Sequence, residues 1–267
     1  MAQPKVLILT GYGINCDEET RFAWEYAGAK GDIVHVNDLI ANPSMLSSYQ
    51  IFTFPGGFSY GDDTGSGKAL ANRIRNNLSD EFAAFLSRDV LVLGICNGFQ
   101  VMVALGIVPG YSPFGNADVA LERNSTDRYQ CRWVDLSINR DSNCVFTKGL
   151  THLHVPVAHG EGNFYASREM LDRLDGENQT VMHYAKDGRP AKGEFPYNPN
   201  GAARDIASIC DPTGRIMGMM PHPERNILFT QRDDYTAKRE EIIRKGGTLP
   251  EESEGIELFR NGVRYFG

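Results

Sequence analysis

The stretch Asp89–Leu105, DVLVLGICNGFQVMVAL, constrains the fold of this chain more than any other. Val90–Ile95 is a short apolar, β-branched run, the pattern of a strand buried on both faces. From Asn97 onward, Phe99, Val101, Met102 and Leu105 recur at helical spacing. A strand that runs straight into a helix belongs to an α/β sheet. The turn between them carries Cys96 flanked by Gly94 and Gly98, and Gly-x-Cys-x-Gly in that setting matches a nucleophile elbow. The glycines permit a tight turn and close backbone approach. The start of the helix leaves free N–H groups beside the sulfur, a setting in which cysteine serves as a nucleophile. A lone cysteine after a strand is more often a small buried hydrophobe. The two glycines at fixed offsets, and partners further along the chain, favour the reactive reading.

The N-terminal half repeats the strand pattern. Lys5–Thr10, Asp32–Val36 and Ile51–Phe54 predict three further strands. Asp17 can cap a helix over Glu18–Ala27, which Gly28 ends. Ser66–Asn77 and Asp80–Ser87 predict two helical pieces that pack on the sheet. Together these predict an open, mostly parallel, flavodoxin-like sheet with helices on both faces. Ligands of such sheets bind outside the carboxyl ends of the strands. The turns at Gly11, Gly57 and Cys96 all lie there and can face one crevice. Gly67-Lys68 resembles part of a phosphate loop, but Asp62 stands where that motif needs glycine and Ala69 where it needs Ser or Thr.

The C-terminal half reads as shorter strands. Gln130–Ile138 alternates, and Leu153–Ala158 is extended and runs into His159-Gly160-Glu161-Gly162, which suits a site loop or a plain turn. Val181–Tyr184 is a strand, and Ile206–Cys210 with Ile216–Met220 predicts a hairpin. Residues from about 225 to 252 turn polar, as a surface extension or partner-facing segment, before a terminal amphipathic helix over Gly255–Tyr265. Residues 1–267 are expected to form a single domain.

Composition narrows the function classes. The net charge of −7, from 27 basic and 34 acidic residues, gives no basic footprint for nucleic acid. No apolar run approaches the length of a membrane span, and MAQPKVLILT lacks a signal-peptide layout. The five cysteines contain no CxxC pair, which argues for a reducing cytoplasm and against a disulfide framework or cysteine-rich zinc site.

The chemistry gathers around Pro221-His222-Pro223-Glu224. The prolines predict extended backbone, in which residues two apart point the same way and Glu224 lies beside the His222 ring. Glu224 would then orient His222, and His222 would take the Cys96 proton and return it to a leaving amine. Attack on an amide creates an oxyanion. The backbone N–H of Asn97, next to the nucleophile, and that of Gly57, on the neighbouring strand end, can hold it.

FPGGFSYGD (54–62), GICNGFQ (94–100), HGEG (159–162), NPNG (198–201) and GMMPHPER (218–225) resemble the class I glutamine amidotransferases. Within them the chain is most similar to the glutaminase subunits of phosphoribosylformylglycinamidine synthases, from purine biosynthesis. The resemblance runs in matching order from Lys5 to Arg225. The resemblance implies Cys96 as nucleophile, His222 as base and Glu224 as its orienting partner. It implies Gly56, Gln100 and His159 as groups lining the pocket for L-glutamine. It implies that ammonia passes to a separate synthetase subunit, which uses ATP and Mg to convert formylglycinamide ribonucleotide to the amidine, with a small bridging subunit as a further partner. The glutaminase step itself needs no metal or cofactor in this chain. Two stretches depart from the commoner family pattern: Asp63–Leu70 (DTGSGKAL) and the tail beyond Arg225. The alternatives are a DJ-1-like cysteine hydrolase or deglycase, and a non-catalytic regulatory module on the same fold.

Overall fold

A computed structural model of the chain describes residues 3–62 and 65–267. Asp63 and Thr64, in the departing stretch, lie outside them. In chain order the elements are β1 (Lys5–Thr10), α1 (Asp17–Tyr26), β2 (Lys30–His35), α2 (Val36–Ala41), β3 (Ile51–Phe54), α3 (Lys68–Leu86), β4 (Leu91–Ile95) and α4 (Asn97–Leu105). There follow β5 (Ala120–Arg123), β6 (Gln130–Ile138), β7 (His152–His159), β8 (Glu161–Tyr165), α5 (Arg168–Gly176), β9 (Thr180–Lys186) and β10 (Arg189–Pro190). The last are β11 (Ile206–Cys210), β12 (Ile216–Met219), α6 (Tyr235–Arg244) and α7 (Ile256–Arg264).

Among the described residues ten strands form one sheet, in the order β2-β1-β3-β4-β12-β11-β9-β6-β7 with β10 on β9. The first five in that order are parallel to one another. The remaining pairs are antiparallel, beginning with the β11–β12 hairpin. The two halves therefore meet between β12 and β11, and β5 with β8 makes a separate two-stranded sheet.

Strand β3 shows why helices cover both faces. All four of its residues are buried, and they alternate. Thr53 Oγ1 accepts from Trp24 Nε1 of α1 at 2.9 Å on one face. Phe52 and Phe54 meet Phe82 of α3 on the other, with ring centroids at 5.2 and 5.9 Å. Edge-to-face packing of this kind suits the ring quadrupoles. The predicted pieces 66–77 and 80–87 are one helix, α3, kinked at Leu78 (φ −135°). Both parts bury the same face, Leu70, Ala71 and Ile74 before the kink and Phe82 and Phe85 after it, so the chain runs through.

Three boundaries differ from expectation for local reasons. Helix α1 starts at Asp17 rather than after it. The Asp17 carboxylate accepts from Thr10 Oγ1 (2.5 Å), tying the helix start to the end of β1. Val36 leaves β2 and opens α2, because His35 Nδ1 accepts from the Asn37 N–H (3.1 Å) and serves as the cap. Glu161 and Gly162 open β8 instead of lying in a loop. Beyond Arg225 the chain first packs inward. Ile227 is fully buried, and its carbonyl accepts from Ser253 N (2.8 Å). No helix among the described residues is long and apolar enough to cross a membrane.

Candidate active site

Strands β4 and β12 run parallel, with Gly94 opposite Gly218 and Ile95 opposite Met219. Their carboxyl ends lead to Cys96 and to Pro221-His222, so neighbouring strands deliver both groups to the same edge of the sheet. Cys96 is 4% exposed and its N–H donates to Met219 O at 2.7 Å. It adopts φ 52°, in the left-handed region that non-glycine residues rarely enter. The flanking glycines are imposed by packing. A Cβ on Gly98 would stand 1.9 Å from Phe54 O, and one on Gly94 would stand 2.1 Å from Met102 Sδ. Helix α4 can press this closely on β3 and β4 only without those side chains.

His222 N donates to Pro156 O of β7 at 2.8 Å. After it the chain does not stay extended: Pro223–Arg225 is a turn of 3-10 helix. Glu224 reaches the ring by that turn rather than by strand alternation, and His222 Nδ1 and Glu224 Oε1 are 2.6 Å apart. Both side chains are buried. Burial disfavours the charged imidazole, but the Glu224 carboxylate and Cys96 outweigh it, and short-range contact with Cys16 and Cys96 adds to them. His222 is therefore held well above the ordinary histidine range. Its Nε2 and the second oxygen of Glu224 are buried without a hydrogen-bond partner. Cys96 Sγ faces Ala158 O of β7 at 3.8 Å.

The loop after β3 is fastened to the loop after β1. Gly56 O accepts from Asn15 N (3.4 Å) and Cys16 N (3.2 Å), and Gly13 O accepts from Phe58 N (2.7 Å). These bonds leave the Gly57 N–H out of the pairing. Gly57 has φ +153°, and a Cβ there would stand 2.6 Å from Gly13 O. A Cβ on Gly56 would stand 2.7 Å from His222 Cε1, so this loop lies directly against the imidazole. On the other side of Cys96, Asn97 and Gln100 brace the first turn of α4. Asn97 Oδ1 accepts from Ser59 N (3.2 Å), and Asn97 Nδ2 donates to Gln100 Oε1 (2.9 Å). Gln100 Nε2 donates to Glu161 O, so both ends of its amide are engaged within the protein. Glu161 Oε2 accepts from Ser66 N (3.1 Å), which ties the departing stretch to the HGEG segment.

His159 is 2% exposed, and its Nδ1 lies 3.2 Å from Asn124 Oδ1. Burial and the nearby His222 push its pKa down to about 3, so it is neutral at physiological pH. Its Nε2 has no partner. Tyr129 is half exposed beside Gly160, with its ring 6.2 Å from that of Phe58. Cys96, His222, Glu224, Gly56 and Gly57 thus converge, with Asn97 and Gln100 on the adjoining helix. Cys16, Asn124 and the β7 carbonyls complete the surroundings and lie in none of the motifs, and Arg225 joins them from the end of GMMPHPER. For Cys16, the one available signal was its place in a post-strand loop between Gly13 and Asp17.

Among the described residues, two clusters have metal-ligand spacing: Cys16, His222 and Glu224, and His154, Asp233 and Asp234. Both are already charge-compensated. Arg225 Nη2 contacts Cys16 Sγ at 2.9 Å, and Arg232 pairs with Asp234 at 2.7 Å. His154 lies between Asp135 (2.8 Å) and Asp233 (2.9 Å), whose carboxylates raise its pKa against the opposing effect of burial. A cavity of about 850 Å³ lined by Asn139, Lys148, Asn261 and Tyr265 contains none of the site residues.

The model of the CobB/CobQ-like glutamine amidotransferase domain matches residues 3–266. The chain is 52% identical to phosphoribosylformylglycinamidine synthase subunit PurQ of Methanococcus maripaludis, over 98% of this chain and 97% of that one. It is 43% identical to the protein of the same description from Dehalococcoides mccartyi, over 99% and 98%. The solved structure of PurLQS from Thermotoga maritima contains a chain that superposes with a TM-score of 0.71 at 26% identity, covering 100% of both. This chain belongs to the CobB/CobQ-like glutamine amidotransferase family.

Proposed function

We propose that this chain is the glutaminase subunit of a phosphoribosylformylglycinamidine synthase, acting in purine biosynthesis. The observation that carries the reading is the convergence of Cys96 with the bonded His222–Glu224 pair at the strand ends of a chain 52% identical to such a subunit. In this reading Cys96 occupies a nucleophile elbow on the class I glutamine amidotransferase fold. Its proton passes to His222, whose ring favours the charged form. The sulfur attacks the side-chain amide of L-glutamine. The amides of Gly57 and Asn97 hold the oxyanion, each such donor lowering the barrier by about 3 kcal/mol. His222 then gives that proton to the amide nitrogen as its bond to carbon breaks, so that ammonia leaves, and water hydrolyses the γ-glutamyl thioester to glutamate. Glu224 keeps the ring oriented throughout.

Gly56 and the neutral His159 line the glutamine pocket. Gln100 contributes by bracing Asn97 and the start of β8 rather than by a free amide. The chemistry needs no metal or nucleotide in this chain, and ATP and Mg belong to the partner's step. The Thermotoga maritima neighbour was solved as PurLQS, a name that joins Q to L and S. This supports a separate synthetase subunit and a small bridging subunit as partners of this chain. A DJ-1-like hydrolase would lack the late Pro-His-Pro-Glu turn, and a non-catalytic module would have no need of the paired His222 and Glu224.

The test is a comparison of nitrogen donors in the assembled complex. Cys96→Ala is expected to lower glutamine-dependent amidation by at least about a thousandfold and to leave ammonia-dependent amidation intact. Equal loss of both activities, or turnover of peptides or aldehydes instead of glutamine, would refute the assignment.

A further inference from the structure

A second sulfur stands beside His222, and the hydrolysis above does not use it. Cys16 is 1% exposed, at the junction of the post-β1 loop with α1. Its N–H donates to Gly56 O (3.2 Å) and so holds the loop that carries Gly57. Its Sγ accepts from Nη2 of Arg225, the residue after Glu224, at 2.9 Å, and donates to Asn15 Oδ1 at 3.3 Å. Sγ, a ring nitrogen of His222 and a carboxylate oxygen of Glu224 lie within 4.8 Å of one another. Gly56 fits between them: a Cβ there would stand 3.1 Å from Sγ and 2.7 Å from His222 Cε1.

A buried Cys, His and Glu at this spacing also suit a transition metal. Charge decides against that use here. The Arg225 guanidinium already places a cation on the sulfur, and Glu224 Oε1 is engaged with Nδ1 of His222. An entering ion would meet the charge of that guanidinium at the sulfur.

Given the glutaminase reading, we propose that Cys16 is a positioning residue that joins the oxyanion-loop backbone to the His222-Glu224-Arg225 turn and fixes the distance between them. Its backbone grips one part and its sulfur the other. Alanine would keep the backbone bond but leave the partly buried Arg225 without its acceptor, freeing the turn that carries Glu224. Serine would keep an acceptor on a shorter bond. Displacements well under 1 Å matter at such a site, because misplacement by about 1 Å costs on the order of a hundredfold in rate.

The test uses the full chain with its synthetase partner and compares wild type, Cys16→Ala, Cys16→Ser, Arg225→Ala and the Cys16→Ala/Arg225→Ala double variant. Wild-type glutamate formation tests the glutaminase reading by itself, independently of Cys16. Cys16→Ala is expected to lower kcat by roughly tenfold with KM changed less than about twofold, since it loosens geometry rather than removing a group that reacts. Cys16→Ser should recover most of the loss, and the double variant should be no slower than the slower single one. The ring resonances of His222, followed by NMR, should shift in Cys16→Ala whether or not glutamine is supplied. A Cys16→Ala enzyme with wild-type kcat, single-variant losses that multiply, or unmoved His222 resonances would each overturn the proposal. If Cys16→Ala does not fold, the kcat loss and the His222 shift are read from Arg225→Ala, which removes the same contact from its other side.

Discussion

The parallel and antiparallel halves of the sheet do different work at the site. The parallel half, β2-β1-β3-β4-β12, ends in the loops that carry Cys16, Gly57, Cys96 and His222. The antiparallel half contributes a wall. Its edge strand β7 takes the His222 N–H on Pro156 O, faces the Cys96 sulfur with Ala158 O, and ends in His159. In the proposed mechanism the groups that react come from loops after parallel strands, where backbone ends open toward a crevice. The strand passing alongside adds carbonyls that are already aligned against them. The chemistry is thus held between two kinds of backbone, and each half should fail in its own way when disturbed.

The sharpest contrast is in packing tolerance. Gly98→Ala should destabilise the fold by about 3 kcal/mol, because its Cβ would stand 1.9 Å from Phe54 O and neither backbone can retreat. Urea denaturation would measure it, and unchanged stability would show that the parallel half is looser than described. Next, Glu224→Gln should cut kcat for glutamine hydrolysis roughly a hundredfold, because the amide no longer offsets charge on the ring. Steady-state kinetics would check this, and a near-normal kcat would remove Glu224 from the proposed mechanism.

The antiparallel half should reveal itself through pH. His159 titrates near 6.5 when unfolded and near 3 when folded. Above pH 6.5 neither state binds the proton. Below it only the unfolded state does, so stability falls with pH until about pH 3. At pH 5 this residue should have removed about 2 kcal/mol. His159→Gln should flatten that part of the stability profile, and an unchanged slope between pH 6.5 and 5 would place the sensitivity elsewhere. The smallest effect is expected at Gly176, at the end of α5, where an added Cβ meets nothing within 4 Å. Gly176→Ala should raise stability by no more than about 0.5–1 kcal/mol, and marked loss would mean that α5 packs more tightly than the structure shows.

The same division explains what was legible in the sequence. Strands β1, β3 and β4 are short apolar runs, each with a glycine no more than three residues beyond its end, and their positions follow from that local pattern. The glycines around Cys96 were readable because a helix pressed onto strands leaves no room for side chains. The apolar pattern does not mark α2, β5, β8, α5 or β10. Helix α2 is capped by a histidine ring, which carries no usual cap signature. Helix α5 carries one, Ser167 accepting from Met170 N, but buries only Leu174 and so shows little apolar periodicity. The reach of Glu224 to His222 was expected from extended chain and is achieved by a turn. Proximity in sequence bounded the pair while the path between them was open. Cys16 and the β7 carbonyls could not be found by motif, since their contacts span 209 and 62 residues of chain.

The most direct test of the account is to trap the acyl intermediate. The chain, with its partner present, would be acid-quenched during turnover of radiolabelled glutamine and its peptides mapped. The account predicts a γ-glutamyl thioester on the peptide containing Cys96, lost in Cys96→Ala together with glutamate formation. Label on a different residue, or glutamate formed at the wild-type rate by Cys96→Ala, would contradict it.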